Sequence, residues 1–279
     1  MAVVDVEPER GAAPAEARGP SHAGRRARVI AAAPSAVVLL VVGVVVGVLA
    51  GPIAGVVAGV VAGVLWWLGT LRLASRVLVG RLGATMAEVE GIGRAETIVE
   101  GLCATMGLPT PDVRVVEDRS RNAVALGRRP DDAVLVVTTG LLASLPPVSL
   151  EGVLAHELSH VKSGDVAAAT VAAAVLLPFA RLTPGAGDIA HRWAGRGREF
   201  RADADAVRVT RYPPGLRDAL AAMSAGPGPD PVSRLAGTTA VARATRWLWT
   251  VALPHGDAQE DVTGVLDASA VRIAALDEW

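Results

Sequence analysis

The sequence predicts an α+β fold that is mainly helical, with a transmembrane helical hairpin at the N-terminus followed by a domain with a small β-sheet. Three observations support this prediction. Residues 29–71 contain no charged side chain. Short β-prone runs separated by turn residues lie between positions 112 and 142. From position 149 onward, apolar residues recur at helical spacing, and the stretch "AHELSHVKSGD" (155–165) lies in this helical part.

The composition is typical of a membrane protein and excludes several other classes. A chain of 279 residues has room for one domain of ordinary size and additional segments. Apolar residues make up 51% of it, mainly Ala, Val and Leu, which suits helices packed in lipid. Because the formal net charge is only −1, we expect no nucleic-acid partner. The single cysteine, Cys103, excludes an internal disulfide and a cysteine-rich zinc site.

The N-terminal part divides into a polar tail and an apolar hairpin. Residues 1–28 are rich in Ala, Pro, Gly, Glu and Arg without apolar periodicity, so we expect a disordered tail. The run 29–71 has the length of two bilayer spans, each of roughly 20 residues. Gly51-Pro52 near its middle supplies a turn, since proline cannot continue a helix. We therefore predict a transmembrane hairpin, with helices at about 31–50 and 53–71.

Arginines flank the hairpin at both ends, whereas its turn has no basic residue. Cytoplasmic segments next to membrane spans carry an excess of Lys and Arg, so both ends of the hairpin are predicted to be cytoplasmic. Residues 80–279 would then form a cytosolic domain tethered to the cell membrane, the inner or plasma membrane. The flanking residues are Arg25, Arg26 and Arg28 before the first span, and Arg72, Arg76 and Arg81 after the second.

The domain behind the hairpin is predicted to contain helices and three short strands. Residues 86–106 have a helical pattern, and Ser149 is expected to cap the helix that contains "AHELSH". The apolar run 166–180 is short for a bilayer span, so we expect a buried or membrane-dipping helix there and no third full crossing. A further helix is expected at "REFRADADAVRV". The predicted strands are "VRVVED", "NAVALG" and "AVLVVTTGLL".

The predicted helix at 149–163 carries an HExxH motif. On a helix, His156 and His160 lie on one face, one turn apart, where two imidazoles can bind the same tetrahedral Zn²⁺. Glu157 lies beside them and would act as the general base on the attacking water. The apolar opposite face of this helix supports a metal site over the alternative, which is two surface histidines that pair with Glu157.

A zinc protease of this kind needs a third protein ligand. The metzincin pattern would require Gly and His three and six residues after His160, but Ser163 and Val166 occupy these positions. The gluzincin arrangement instead takes a glutamate from a later helix, and Glu199 is the natural candidate. His191, two turns earlier, is the competing third ligand.

Two aspartates near these residues have different expected roles. Asp203, one turn after Glu199, could accept a hydrogen bond from the free N–H of a ligating histidine and so orient its ring. The alternative is that Glu199 and Asp203 lie on a solvated face, where Arg198 and Arg201 pair with them. Asp165 ends the "HVKSGD" segment, and we expect a structural role there, paired with a nearby lysine or a backbone N–H.

Four motifs in order after a membrane hairpin resemble those of the HtpX family of membrane-embedded zinc metallopeptidases, gluzincins related to the CAAX prenyl proteases. The likeness covers roughly residues 30–225, and linked motifs are more specific than HExxH by itself. The motifs are "NAVALG", "VVTTGLL", "LEGVLAHELSHVKSGD" and "REFRADADA".

The resemblance implies one Zn²⁺ per chain, a lipid bilayer as environment and polypeptide substrates. By this likeness His156, His160 and Glu199 would be the zinc ligands, Glu157 the general base, and Asp203 the acid that orients a ligand. The family acts on misfolded or damaged membrane proteins, which it cuts on the cytoplasmic side. The leading hypothesis is therefore a zinc endopeptidase of protein quality control. The alternatives are a regulatory membrane protease with one dedicated substrate and a non-catalytic membrane scaffold.

The family likeness also concerns substrate binding. In the family an edge strand before HExxH holds a peptide extended, and Asn122 of "NAVALG" matches the start of that motif. An ordinary turn residue is the equal alternative for Asn122. The chain also departs from its relatives. Only 38 residues separate His160 from Glu199, and "DASAVRIAALDEW" lacks the His-Pro pair that precedes Arg-Ile in many relatives. The candidates for stabilising the oxyanion therefore stay open: Tyr212, Arg272 and His255.

Overall fold

The computed structural model describes residues 22–180, 191, 197–236, 239–253 and 269–279. It confirms the predicted fold class: a mainly helical protein with two long N-terminal apolar helices and a small three-stranded sheet. The predicted disordered tail, 1–28, lies outside the described residues up to position 21. Residues 22–28 are helical, because Arg and Ala are good helix formers and extend the helix beyond the apolar run.

Two helices form the hairpin, α1 (His22–Ala50) and α2 (Pro52–Leu82). Both are long and apolar enough to cross a membrane. Gly51 joins them with a φ of +93°, a backbone conformation that L side chains rarely adopt. Helix α2 continues well past position 71, the predicted end of the second span. Its last turns become part of the domain, where Leu78 and Leu82 are buried.

The hairpin is held together by close contact of the helix backbones at its glycines. A Cβ added at Gly59 would lie 2.6 Å from the carbonyl oxygen of Leu39, and one added at Gly55 would lie equally close to the Cα of Gly47. Within lipid no hydrophobic driving force brings helices together, so dispersion contacts between smooth surfaces must do so. Glycines recur every four residues from position 43 to position 63, and this spacing determines how closely α1 and α2 pack.

The sheet is small and mixed. Strands β1 (Asp112–Val116), β2 (Ala123–Leu126) and β3 (Val134–Thr138) lie in the order β1-β3-β2. β3 pairs parallel with β1 and antiparallel with β2, so β2 is an edge strand of this sheet. A short 3₁₀ turn, Pro130–Asp132, joins β2 to β3.

Two predicted helix starts are wrong. Helix α3 runs over Ile92–Met106 instead of 86–106, because Gly91 before it has a φ of +87° and Thr85 pairs with β1. Helix α5 runs over Pro147–Ser163, and Pro146 rather than Ser149 is its N-cap. Proline fits the first helical position, where its missing N–H costs nothing, so the helix starts earlier than the serine suggested.

The remaining helices surround α5. Helix α6 (Val166–Leu176) follows α5 after a bend of 90° and continues into a 3₁₀ turn, Leu177–Phe179. Most of α6 is buried, and it packs against both α1 and α2. Residues 166–173 are thus buried, whereas Phe179 is exposed. Since α5 and the run up to Phe179 together have the length and composition of one bent span, the absence of a third crossing stays a prediction. The other helices are α4 (Thr139–Ser144), α7 (Arg198–Thr210), α8 (Pro213–Ser224), α9 (Ala240–Thr245) and α10 (Ser269–Asp277).

The glycine contacts of the hairpin predict the effect of one added methyl group. Gly59→Ala should destabilise the protein by about 1–3 kcal/mol, since the new Cβ would overlap the α1 backbone. Gly69→Ala is the matched control, because nothing lies within 4 Å of a Cβ there. Unfolding of both variants in detergent, followed by tryptophan fluorescence, checks this. Equal stability of the two variants would show that the helices do not pack as described.

Candidate metal centre

Helix α5 carries His156, Glu157 and His160 into the interior of the domain. Their side chains are almost completely buried: the residues are 0%, 1% and 4% exposed. Leucines and valines of the same helix fill the core around them, and α5 contacts α3, α7, α8 and β2. Because α5 is surrounded on several sides, its polar face is buried as well as its apolar face. Buried polar groups need partners, and neighbouring elements supply them.

Helix α7 supplies the third member of the cluster. It packs against α5 and brings Glu199 between the two histidines. The Oε2 atom of Glu199 lies 3.2 Å from Nε2 of His156, and its Oε1 atom lies 3.5 Å from Nε2 of His160. Potential ligand atoms of these three residues all lie within 4.8 Å of one another. The structure thus brings together the three residues that the motifs predicted as ligands.

Two distances in the cluster are close to those of a zinc site. Two ligand atoms on a tetrahedral Zn²⁺, with bonds of about 2.0–2.1 Å, lie about 3.3 Å apart. The separations of Glu199 from the two histidines are close to this value. Nε2 of His156 is buried and forms no hydrogen bond with any described residue. Two imidazoles and one carboxylate are also the ligand set of a catalytic zinc, which leaves a fourth position for water or substrate.

His191, the competing third ligand, lies outside this cluster among the described residues. Its ring lies beside that of Trp247, with 5.6 Å between the ring centroids. Arg198 lies over the same indole, at 5.4 Å. Its Nη2 atom lies 3.6 Å from Oε1 of Glu199, within the range of an ion pair. His191 and Arg198 thus belong to the wall beside the cluster.

Each histidine is held at Nδ1 by its own aspartate. Oδ1 of Asp203 lies 2.8 Å from Nδ1 of His156, and Oδ1 of Asp165 lies 3.0 Å from Nδ1 of His160. With Nδ1 bound to a carboxylate, each ring presents Nε2 to Glu199. The position of Asp203 agrees with the sequence prediction. Asp165 was expected to pair with a lysine or a backbone N–H, but its carboxylate binds His160 instead. The reason is that the chain turns at Gly164 (φ +74°), which folds Asp165 back onto the end of the helix.

Glu157 contacts the sheet and a distant segment. Its Oε2 atom accepts a hydrogen bond of 2.6 Å from the backbone N–H of Ala125 in β2. Its Oε1 atom accepts one of 2.6 Å from the hydroxyl of Thr250. Thr250 is a site residue that the sequence prediction missed. No local pattern marks it, because it lies 93 positions from Glu157 in the chain.

The edge of β2 is covered by the protein's own chain. Thr250 donates its backbone N–H to the carbonyl oxygen of Ala123, at 2.9 Å. Asn122 forms two hydrogen bonds with the backbone of Val251, since its Nδ2 donates to the Val251 oxygen (2.6 Å) and its Oδ1 accepts from the Val251 N–H (3.1 Å). Asn122 is therefore buried against the chain and does not lie in an open turn.

The candidates for stabilising an oxyanion differ in position. Arg272 of α10 is buried and binds Asp203, with its Nη1 atom 3.6 Å from Oε2 of Glu199. Tyr212 is 52% exposed at the start of α8. His255 lies outside the described residues. Of the three candidates, Arg272 is therefore the one that the structure places in contact with the cluster.

The chain is similar to one family of known proteins. Residues 92–242, more than half of the chain, match the model of Peptidase family M48. This match includes every residue of the metal cluster. No solved structure gives a significant match.

Several curated relatives carry the name Protease HtpX homolog. The one from Dictyoglomus thermophilum is 38% identical in an alignment of 159 residues, and the match covers 46% of this chain and 52% of the relative. The one from Tropheryma whipplei (strain TW08/27) is 33% identical in an alignment of 187 residues, and the match covers 54% of this chain and 64% of the relative. Protease HtpX homolog 1 of Streptomyces coelicolor is 46% identical over 99 residues, 36% of this chain and 33% of the relative. The chain thus spans about half the length of the curated relatives it matches.

The carboxylates of the cluster strongly affect the protonation of the metal-free histidines. Burial acts to lower the pKa of His160, but the charges of Glu199 and Asp165 outweigh it and raise this pKa from 6.5 to about 10. For His156, burial and the charge of Arg272 act to lower the pKa. Asp203 and Glu199 act to raise it and have the larger effect, so the net shift of this pKa is upward. In Glu199, burial is likewise outweighed by the histidines, and its pKa lies well below 4.5.

These shifts predict how the stability of the zinc-stripped protein depends on pH. A histidine with a raised pKa in the folded state contributes stability that is complete below its ordinary pKa of 6.5. That contribution is lost as the pH rises toward 10. The melting temperature of chelator-treated protein should therefore fall between pH 6.5 and 10. Asp165→Asn should flatten this fall, because it removes one of the charges that raise the pKa of His160. A melting temperature that is constant over this range would contradict the prediction.

Proposed function

Because the chain belongs to Peptidase family M48, we propose that it is a membrane-anchored, zinc-dependent endopeptidase that hydrolyses peptide bonds of misfolded or membrane-associated proteins in protein quality control. The observation that carries this proposal is the buried cluster of His156, His160 and Glu199 beside Glu157. A structural zinc would need a fourth protein ligand, and among the described residues the cluster offers three. A site that keeps one position open is suited to catalysis.

The chain's own residues would bind one metal ion and transfer a proton. His156, His160 and Glu199 would hold a Zn²⁺, which when bound polarises the scissile carbonyl and makes water more acidic. Glu157 would take the proton of the attacking water and then donate it to the leaving amine. Asp203 would keep His156 oriented through its Nδ1 atom. Burial of the site strengthens each of these electrostatic interactions.

The proposed location is the cell membrane, inner or plasma, with the catalytic domain in the cytoplasm. The two helices with the length and hydropathy of membrane spans support membrane anchoring. Arginines lie at the end of each helix that is remote from the Gly51 turn, and they support a cytoplasmic orientation of the domain. Since α6 packs against the hairpin and directly follows α5, the metal cluster would lie near the membrane surface. Membrane-associated polypeptides are therefore the proposed substrates.

Asn122 is proposed to bind the main chain of the substrate. Its carboxamide already forms a pair of hydrogen bonds with the N–H and C=O groups of one residue, Val251. A peptide lying along the edge of β2 could be held in the same way, with little dependence on its side chains. It would have to displace Thr250 and Val251, which now occupy this edge.

Substitution of the general base tests the proposed enzyme. Glu157→Gln should retain zinc and lose casein cleavage by about 100-fold or more, since general acid–base catalysis contributes about that much. Glu199→Gln should lose zinc, whereas His191→Gln should retain it. Zinc content is measured on protein purified in detergent, and cleavage is followed with labelled casein.

Glu151→Gln is the matched control, because Glu151 lies on the same helix α5 outside the cluster. It should keep both zinc and activity. Wild-type protein that binds no zinc, or equal cleavage by wild type and Glu157→Gln, would refute the proposed enzyme. Zinc in the wild type without cleavage of casein or of any membrane protein tested would favour a non-catalytic scaffold instead.

The covered edge of β2 predicts a difference between two further variants. Thr250→Val removes the hydroxyl that binds Glu157 and Ala123, so the substrate should displace this segment more readily. KM should then fall by up to about tenfold, because one hydrogen bond contributes about 0.5–1.5 kcal/mol. Asn122→Ala should change KM less, because the substrate and Val251 lose the same bonds. Steady-state cleavage of a fluorogenic peptide measures both values. A rise in KM for Thr250→Val would show that substrate does not take this edge.

A further inference from the structure

Arg272 is a fully buried cation in the last described helix, α10. This residue is 2% exposed, and α10 packs against α8 with Leu276 in the core. A guanidinium group cannot be removed from water at so small an exposure unless opposite charges and acceptors surround it. Its partners therefore indicate why the chain brings an arginine to this place.

The guanidinium forms a two-bond pair with Asp203. Its Nε atom donates to Oδ2 at 2.8 Å, and its Nη2 atom donates to Oδ1 at 2.7 Å. Its Nη1 atom donates to the carbonyl oxygen of Thr250 at 2.6 Å. Both planar groups are thus held in one orientation, the arrangement that lysine cannot reproduce. These bonds direct the guanidinium toward Asp203 and Thr250.

Arg272 lies near two of the ligands directly, with Nη2 3.4 Å from Nδ1 of His156 and Nη1 3.6 Å from Oε2 of Glu199. Asp203 provides the shorter contact between Arg272 and the cluster. Its Oδ1 atom lies 2.8 Å from Nδ1 of His156 and also accepts from Arg272. Since both carboxylate oxygens of Asp203 are bound by the arginine, the carboxylate cannot rotate away from the imidazole. The ring of His156 is then held with Nε2 toward Glu199.

We propose that Arg272 is a positioning residue for the metal centre, which acts through Asp203 on the orientation of His156 and links the C-terminal helix α10 to the site. This inference rests on the proposed function, because it assumes that His156 binds the metal. It assigns Arg272 a role other than stabilising an oxyanion, since the arginine is bound to Asp203 and to the chain at Thr250.

Zinc affinity measured on the full-length protein in detergent tests this role apart from activity. Arg272→Gln should weaken zinc binding about 10- to 100-fold, the usual effect of removing a group that orients a ligand. Arg272→Lys keeps the charge but not the paired bonds, so its loss should be smaller. Zinc-stripped protein is titrated with zinc against a metallochromic indicator. In parallel, the visible spectrum of the cobalt-loaded protein reports the geometry around the ion.

Arg217→Gln is the matched control. Arg217 also forms an ion pair involving α10, at 2.9 Å to Asp277, but on the exposed surface away from the cluster. Its removal should leave the zinc affinity and the cobalt spectrum unchanged, because an exposed pair contributes little.

A double-mutant cycle tests whether Arg272 acts through Asp203. In the Asp203→Asn background, Arg272→Lys should weaken zinc binding by less than about threefold, since the orienting contact is already impaired. Additive losses in the double variant would overturn the proposed route. Where Arg272→Gln does not fold, Arg272→Lys decides, and unchanged zinc affinity with an unchanged cobalt spectrum in that variant would overturn the proposal. Wild-type protein that binds no zinc would instead refute the proposed function.

Discussion

The contact between α5 and α7 brings two imidazoles and two carboxylates together out of water, and most of the polar structure follows from this contact. Neither helix could bury its polar residues alone, because an isolated charge in the interior costs several kcal/mol. When the two helices pack together, Glu199 lies between both histidines and Asp203 holds His156. Arg272, Asp165 and Arg198 then lie around this group, so that every charge of the cluster has an opposite charge nearby.

The polar groups of the site come from segments far apart in the chain. Ala125 in β2 and Thr250 bind the two oxygens of Glu157, and Arg272 binds Asp203. These bonds make the edge of the sheet, the metal cluster and the C-terminal helix one connected unit. Hydrogen bonds to Ala123 and Asn122 place Thr250 and Val251 along the edge of β2, the edge that we propose for an extended substrate peptide. Under this proposal, order in the site and access for a substrate depend on the same few hydrogen bonds.

The membrane hairpin is joined to the domain by packing as well as by chain connectivity. Helix α6, which follows the metal helix after a sharp bend, is buried against α1 and α2. The last turns of α2 lie in the same apolar core as α6 and Trp249. The hairpin thus forms a side of the domain.

Local patterns in the sequence were sufficient for much of this structure. The uncharged run and Gly51-Pro52 predicted the hairpin, because a helix in lipid has few alternatives. The spacing of His156 and His160 predicted that both lie on one helix face. The acidic pair in the later helix predicted a third ligand, Glu199, and an acid that orients a histidine, Asp203. Helix starts were predicted less well, since Gly91 and Pro147 begin or delay a helix through backbone conformation rather than hydrophobic pattern.

The sequence by itself therefore determined the helix periodicity, the apolar spans and the place of His156 and His160 on one helix face, all of which depend on neighbours within one or two turns. Only the tertiary structure decided which groups complete the site. Thr250 on Glu157, Asp165 on His160 and Arg272 on Asp203 depend on how the chain turns and returns, over 69 positions in the last case. Burial supplies the physical reason: a polar group removed from water takes the nearest partner in space, whatever its distance along the chain.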